Sequence, residues 1–166
     1  MANFSSSFCT LTITHPNPTV VREFISTFLQ SWSDDAGSGA YGPYICDIPE
    51  LTKENTPSTL QLDFEGTGRW TFANTLSRLK DYMDYYLSLE QKIHFLSLAT
   101  PIELEWDYVD EECGCQVLYS ATGTHAIGQC NVAYDNNIQM SYPYTLENLL
   151  ELGFNEESYS EYFDEQ

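Results

Sequence analysis

The residues that could do chemistry are concentrated between residues 102 and 119. Three carboxylates alternate there with apolar side chains, and three more acids follow: Glu103, Glu105, Asp107, Asp110, Glu111 and Glu112. Alternate side chains of a β-strand share one face at a spacing of about 6.6 Å, so this segment predicts a line of outward carboxylates. No Lys or Arg follows Lys92 to neutralise them. Such a line can bind cations or the basic surface of another protein.

A second set of residues has the chemistry of a metal site. It consists of Cys113, Cys115, His125 and Cys130, and thiolate and imidazole are the ligands that zinc prefers. A single Cys-x-Cys pair is a weak zinc signal, because the two thiols share a strand face only where no bulge intervenes. We predict no metal and no cofactor, with zinc at these four residues as the alternative.

No pattern in the chain indicates an enzyme. None of the five cysteines has the context of an activated nucleophile, and no glycine-rich phosphate loop is present. Carboxylate pairs can be drawn from 25 acids in so many ways that no single pair indicates a hydrolase. We therefore predict a protein that works by binding.

Charge is distributed unevenly along the chain, whose formal net charge is −19. Residues 1–92 contain all 6 Lys and Arg and 11 acids, whereas residues 93–166 contain 14 acids and no base. A field of this sign repels nucleic acid and anionic membranes and attracts basic proteins. Direct binding to DNA or to a membrane is therefore not expected. A merely solubilising acidic surface is the simpler alternative.

Length and cysteine usage indicate where the chain folds. At 166 residues, with 12 Tyr, 9 Phe and 3 Trp, it can bury a core without disulfides. Five cysteines are an odd number, and neither a secretory signal nor a membrane span is recognisable in the sequence. We expect a protein of the reducing cytoplasm.

The elements that must position these residues follow from periodicity. Strands are predicted at residues 8–15 and 60–65, helices at residues 18–32 and 72–91, an irregular connection at 33–57, and a hairpin at 102–119. This order suggests a ferredoxin-like α+β sandwich, an antiparallel sheet with two main helices on one face. We expect this domain to span residues 1–120.

The remaining residues, 121–166, are predicted to form a C-terminal extension. Asp135, Asn136 and Asn137 resemble the turn of a short hairpin, and Thr145 can cap a helix that ends before Gly153. The acidic, aromatic tail that follows is expected to be either frayed or docked on a partner.

Three segments are similar to the YubB-like ferredoxin-fold family of plasmid- and phage-encoded proteins. They are MANFSSSFCTLTITHPNPTVVREFI, STLQLDFEGTGRW and ELEWDYVDEECGCQVLY, which together lie within residues 1–120. The family has a proline-containing turn before its final strand; here the turn is longer and lacks proline. The resemblance implies the fold and an origin on a mobile element, without implying a reaction.

Together these features predict an inhibitor of anti-CRISPR or anti-restriction type that acts in the bacterial host cytoplasm. It would bind a basic, nucleic-acid-handling host protein, a CRISPR effector or a restriction enzyme, by imitating nucleic acid. The predicted contacts are the six acids of residues 102–119 together with Glu156, Glu157, Tyr159, Glu161, Tyr162 and Phe163. One acidic strand has about half the charge density of one DNA strand, so further acids must contribute: residues 61–65 if that strand is adjacent, or the tail at residues 156–165. The alternative is a non-catalytic accessory or structural interaction module whose acidity provides only solubility.

Overall fold

The chain folds around one antiparallel sheet. The computed structural model describes residues 4–164, without the side chains of residues 160–162 and 164. Its six strands are Phe4–Thr14 (β1), Gly42–Ile45 (β2), Thr59–Arg69 (β3), Ile102–Glu112 (β4), Val117–Gly128 (β5) and Asn131–Ser141 (β6). They lie in the order β2-β3-β1-β4-β5-β6, and each neighbouring pair is antiparallel.

Helices cover both faces of the sheet, to different extents. One face carries α1 (Pro18–Phe24), a π-helical turn (Ile25–Leu29), α2 (Gln30–Gly37), α3 (Phe72–Ser77), α4 (Leu79–Tyr86) and α5 (Leu89–Leu96). The C-terminal helices α6 (Leu146–Glu151) and α7 (Glu156–Asp164) pack against one end of the other face. Within residues 4–164, no helix combines the length and apolarity needed to cross a membrane. The predicted α+β class with an antiparallel sheet is confirmed.

The main core lies between the sheet and α1–α5. The strands contribute alternate residues, and Trp106 of β4 is fully buried at the centre. Its ring meets Phe64 at 5.4 Å and Trp32 at 6.3 Å between ring centroids, both edge to face. This is the geometry that aromatic quadrupoles favour. The alternation that predicted β4 therefore also selects the side chains of the core.

A second, smaller core lies on the opposite face. Val109 and Leu118, at the turn end of β4 and β5, pack there against Leu149 and Phe154 of the C-terminal segment. Phe8 of β1 closes this cluster, with its ring 5.0 Å from Phe154. The C-terminal segment is therefore docked on its own sheet over the part that the structure describes.

Two predicted helical and loop regions differ from the structure. The single helix expected at 72–91 is three helices, because Arg78 and Leu87 have non-helical backbone angles and Ser88 begins α5 with a capping box. The connection expected to be irregular from residue 33 contains the end of α2 and the edge strand β2. The recurrence of apolar residues every three or four positions identified the helical residues, but it does not show where one helix ends and the next begins.

The short hairpin predicted around residues 135–137 does not form. Residues 131–141 are one strand, β6, and the turn before it is formed by Gln129 and Cys130, with φ of 50° and 62°. Two left-handed residues in succession make the tight turn whose twist suits a hairpin. The boundary expected at residue 120 falls within β5, and β5 and β6 continue the same sheet.

Candidate functional site

The uncovered part of the sheet presents a set of carboxylates that we name the acidic face. It consists of Asp63 and Glu65 on β3, Glu103, Glu105 and Asp107 on β4, and Asp135 on β6, all of them exposed. Residues that lie opposite each other in an antiparallel pair share a face of the sheet. The register therefore places all six carboxylates on the face opposite the main core.

Threonines separate the carboxylates in regular rows. Thr10 of β1 pairs with Asp63 on one side and Asp107 on the other, so these two carboxylates are two strand spacings, roughly 10 Å, apart. In the next row, Glu105 and Asp135 are separated by Thr124 of β5. Hydroxyls between the acids keep the face polar without cancelling its charge.

The carboxylates of the acidic face have no cationic partner among the described residues. Asp107 Oδ1 accepts a hydrogen bond of 2.9 Å from the Thr122 hydroxyl, which leaves its charge in place. The ion pairs of the described part join other acids, on the helices: Arg78 with Asp81, Lys92 with Asp84, and His94 with Glu23. The face is therefore a negative surface held rigid by a sheet.

The density of charge on this face approaches that of a nucleic-acid strand. Six carboxylates occupy four successive rows of the sheet, a length of about 20 Å at about 6.8 Å for each two-residue step. Projected onto the strand direction, that is about one charge per 3.4 Å, the spacing along one strand of B-DNA, with the charges spread over about 19 Å across the sheet from β3 to β6. β3 carries two of these carboxylates, but it is not adjacent to β4 as the charge argument from the sequence required, because β1 lies between the two strands.

A groove of about 1020 Å³ borders the acidic face. Its lining includes Phe8, Tyr44, Phe154, and the carboxylates Asp63 and Glu65. A cavity with aromatic walls and two acids suits a side chain that has an apolar stem and a cationic end.

Two thiols line the same groove, and neither has the character of a nucleophile. Burial raises the pKa of the Cys9 thiol, and nearby Asp107 and Asp63 raise it further. Burial likewise raises the pKa of the Cys46 thiol, and among the neighbouring charges Glu65 raises it most. Since the thiolate is the reactive form, the groove does not favour thiol chemistry.

Asp110 is not the outward contact that the sequence predicted. It is 1% exposed, and its Oδ2 accepts hydrogen bonds from the Phe72 backbone N–H at 2.8 Å and the Tyr119 hydroxyl at 2.7 Å. Burial raises the pKa of this carboxyl to about 6, although both hydrogen bonds oppose the rise. Asp110 faces the main core because its position has the parity of Trp106 and Tyr108.

Glu111 and Glu112 are also buried, and the prediction that they are surface contacts is wrong. Glu111 has the parity of the acidic face, but the C-terminal segment covers it: Tyr144 and Tyr159 both donate their hydroxyls to its carboxylate, the latter at 2.9 Å. Burial raises the pKa of Glu111. The Glu112 carboxylate accepts from the backbone N–H groups of Gly114 and Cys115 and so caps the turn.

The predicted C-terminal contacts separate into two groups. Glu156 and Glu157 are exposed in the first turn of α7 and extend the negative surface. Tyr159 and Phe163 are half-buried and make contacts within the protein. The Tyr159 hydroxyl donates to the Glu111 carboxylate, and the Phe163 ring stacks on that of Tyr144 with 5.8 Å between ring centroids. The side chains of Glu161 and Tyr162 lie outside the described residues.

The structure does not bring the four potential zinc ligands together. His125 is buried in the core, where its Nδ1 accepts from Trp106 Nε1 at 3.0 Å and its Nε2 lies 2.8 Å from the Leu76 carbonyl. Burial lowers the pKa of His125 to about 4, so the ring is neutral. With both nitrogens engaged, His125 is not available to join Cys113 or Cys115 around a metal, and the described part of the chain holds no cluster suited to one.

Sequence reasoning missed Asp135 as a site residue. The run Asp135-Asn136-Asn137 is typical of turns and predicts one at this position. The available signal of one continuous strand was the recurrence of the apolar residues Val132, Tyr134, Ile138 and Met140 at alternate positions.

Comparison with known proteins adds no relative to this description. No protein-family model, curated protein or solved structure matches the chain.

Proposed function

We propose that this protein is a non-catalytic inhibitor that binds a basic, nucleic-acid-handling host protein through the acidic face. One observation carries the proposal: six exposed carboxylates lie on one rigid face, without an ion pair among the described residues, and projected along the strands they have the charge density of a nucleic-acid strand. A protein that holds nucleic acid with Lys and Arg would accept this face in the same groove.

The inhibitor acts stoichiometrically, by occupying the site that nucleic acid would use. Long-range attraction between the acidic face and a basic groove speeds the encounter, and the threonine rows allow hydrogen bonds once the surfaces meet. The groove beside Asp63 and Glu65 accepts an Arg side chain of the partner, with Tyr44 and Phe8 against its stem.

The biological setting that we propose comes from the family resemblance and the charge. The three segments that resemble the family form β1, β3 and the β4–β5 hairpin. The resemblance itself, with its implied ferredoxin-like arrangement of residues 1–120, is the support for kinship with YubB-like proteins. An origin on a plasmid or phage places the protein in the bacterial cytoplasm, where a CRISPR effector or restriction enzyme is a partner of the required chemistry.

Charge reversal on the acidic face tests the proposal. The wild-type protein is used in a pull-down from cells with active CRISPR and restriction systems, and the retained basic protein is then titrated against variants. Glu103→Lys with Asp107→Lys should weaken binding at least about 10-fold and reduce its dependence on salt.

A matched control keeps the same change in net charge away from the face. Glu54→Lys with Glu90→Lys reverses two exposed acids of a loop and of α5, and should bind like the wild type apart from a small general effect. Equal losses in the two double variants would show that net charge, and not this face, determines binding.

A second candidate is an accessory or structural interaction module. Three exposed aromatic side chains favour it: Phe4, Trp70 and Tyr85 are 60%, 48% and 77% exposed. Binding through these rings would be nearly indifferent to salt, whereas binding through the acidic face collapses as ionic strength rises. Repeating the pull-down at low and high salt separates the two functions.

A further inference from the structure

The outer edge of β6 is open. β6 is the last strand of the sheet and is 11 residues long, and no strand of the described chain pairs with its outer side. An open edge presents a row of unpaired backbone N–H and C=O groups, which is a template for pairing with another strand. β6 is thus the longer of the two edge strands that the structure describes.

β6 carries only part of the protection that edge strands usually have. Its sequence, NVAYDNNIQMS, contains no Lys, Arg or Pro; its one charge is Asp135, and one register shift interrupts its pairing with β5. The opposite edge of the sheet is different, because β2 has only four residues and includes Pro43. The β6 edge is therefore the longer and less protected of the two, and the one more open to pairing with another strand.

Charge along the chain indicates what that partner is. Residues 113–146 contain one charged residue, Asp135, in a chain with 25 acids. A basic partner would be favoured by many acids near the edge, whereas a second copy of this acidic chain requires that they be few, and Asp135 is the single acid of β6. Two apolar side chains of β6, Ile138 and Met140, are each 55% exposed and would be covered by such a copy.

We propose that the protein forms a dimer by antiparallel pairing of β6 with β6 of a second copy. A two-fold axis perpendicular to the sheet makes the contact isologous and joins two six-stranded sheets into one. The same axis places both acidic faces on one side of the joined sheet. The dimer is inferred from the open edge of β6 and from the scarcity of charge in residues 113–146, and it does not depend on what the acidic face binds.

Sedimentation equilibrium of the purified protein tests the dimer. Measured from about 1 µM to about 1 mM protein, the wild type should convert from monomer to dimer within this range. Ile138→Glu with Met140→Glu adds four like charges at the pairing edges of a dimer and should raise the dissociation constant at least about 10-fold.

The control is Ile93→Glu on α5, whose side chain is 56% exposed, close to that of Ile138. It makes the same kind of change away from β6 and should leave the dissociation constant unchanged. Hydrogen exchange should also show slower exchange of β6 amides as the wild type is concentrated.

Three results would overturn the dimer: a wild type that stays monomeric up to about 1 mM, a dissociation constant that does not respond to the double variant, or an equal response to Ile93→Glu. Failure of the dimer leaves binding of a basic partner unaffected, since that is read from the pull-down.

Discussion

Replacing Asp110 by Asn should change how stability depends on pH. In the folded protein, burial raises the pKa of this carboxyl from 3.8 to about 6. Between these two values the folded state binds the proton more tightly than the unfolded state, so the wild type loses stability as pH rises through this window. Asn resembles the protonated carboxyl in size and charge and can accept the hydrogen bonds from Phe72 and Tyr119.

The magnitude follows from the two pKa values. A difference of about 2.2 in pKa, at about 1.4 kcal/mol for each unit of pH, gives about 3 kcal/mol. The free energy of unfolding of Asp110→Asn, relative to the wild type, should therefore increase by about 2 to 3 kcal/mol between pH 4 and pH 7. Any constant cost of the amide cancels from this change.

The assay is urea unfolding at a series of pH values, analysed by linear extrapolation. Asp107→Asn is the control, because it removes an exposed carboxylate from the opposite face of the same strand. If the relative stability of Asp110→Asn is flat between pH 4 and pH 7, or follows that of Asp107→Asn, the buried carboxyl does not titrate as the structure requires.

Two further predictions concern the buried imidazole of His125 and the buried carboxylate of Glu111. Burial lowers the pKa of His125 from 6.5 to about 4, so its contribution to the stability of the wild type is retained above pH 6.5 and lost as pH falls towards 4. His125→Gln should remove about 3 kcal/mol from the fall in unfolding free energy over this range, measured by the same urea series. Tyr159→Phe removes one of the two hydroxyls that hold Glu111 and should cost about 1.5 to 3 kcal/mol at pH 7. Faster hydrogen exchange in α7 would locate this loss in the C-terminal segment, and unchanged exchange there would contradict the role of Tyr159.

Local pattern predicted the parts of the fold that depend on neighbouring residues. The alternation of residues 102–108 identified β4 and separated its core side, with Trp106, from its acidic side. Asn17 and Pro18 marked the start of α1, where the Asn17 side chain caps the Thr19 N–H at 3.0 Å. Both signals are local, since strand parity and helix caps are set within a few residues.

The candidate site was predicted in part. Glu103, Glu105 and Asp107 lie on the exposed face as expected, and β3 carries two further carboxylates, although β1 separates it from β4. Pairing partners far apart in sequence determine which strands share a row, and periodicity within one segment contains no information about them. Asp135 therefore belongs to the acidic face because β6 pairs with β5, which local periodicity does not reveal.

The sequence by itself determined the excess of acid in the second half and the alternation of residues 102–108 in β4. The tertiary structure alone decided that β4 continues to Glu112, which sends Asp110 and Glu111 to opposite faces, and that both are buried. Parity specifies the face to which a side chain points, but burial depends on what is packed over that face, and here the cover comes from elements 38 and 48 residues away, Phe72 of α3 and Tyr159 of α7. A carboxylate can be buried only where other groups donate hydrogen bonds to it. Those groups come from distant parts of the chain, so exposure is decided when the whole chain has folded.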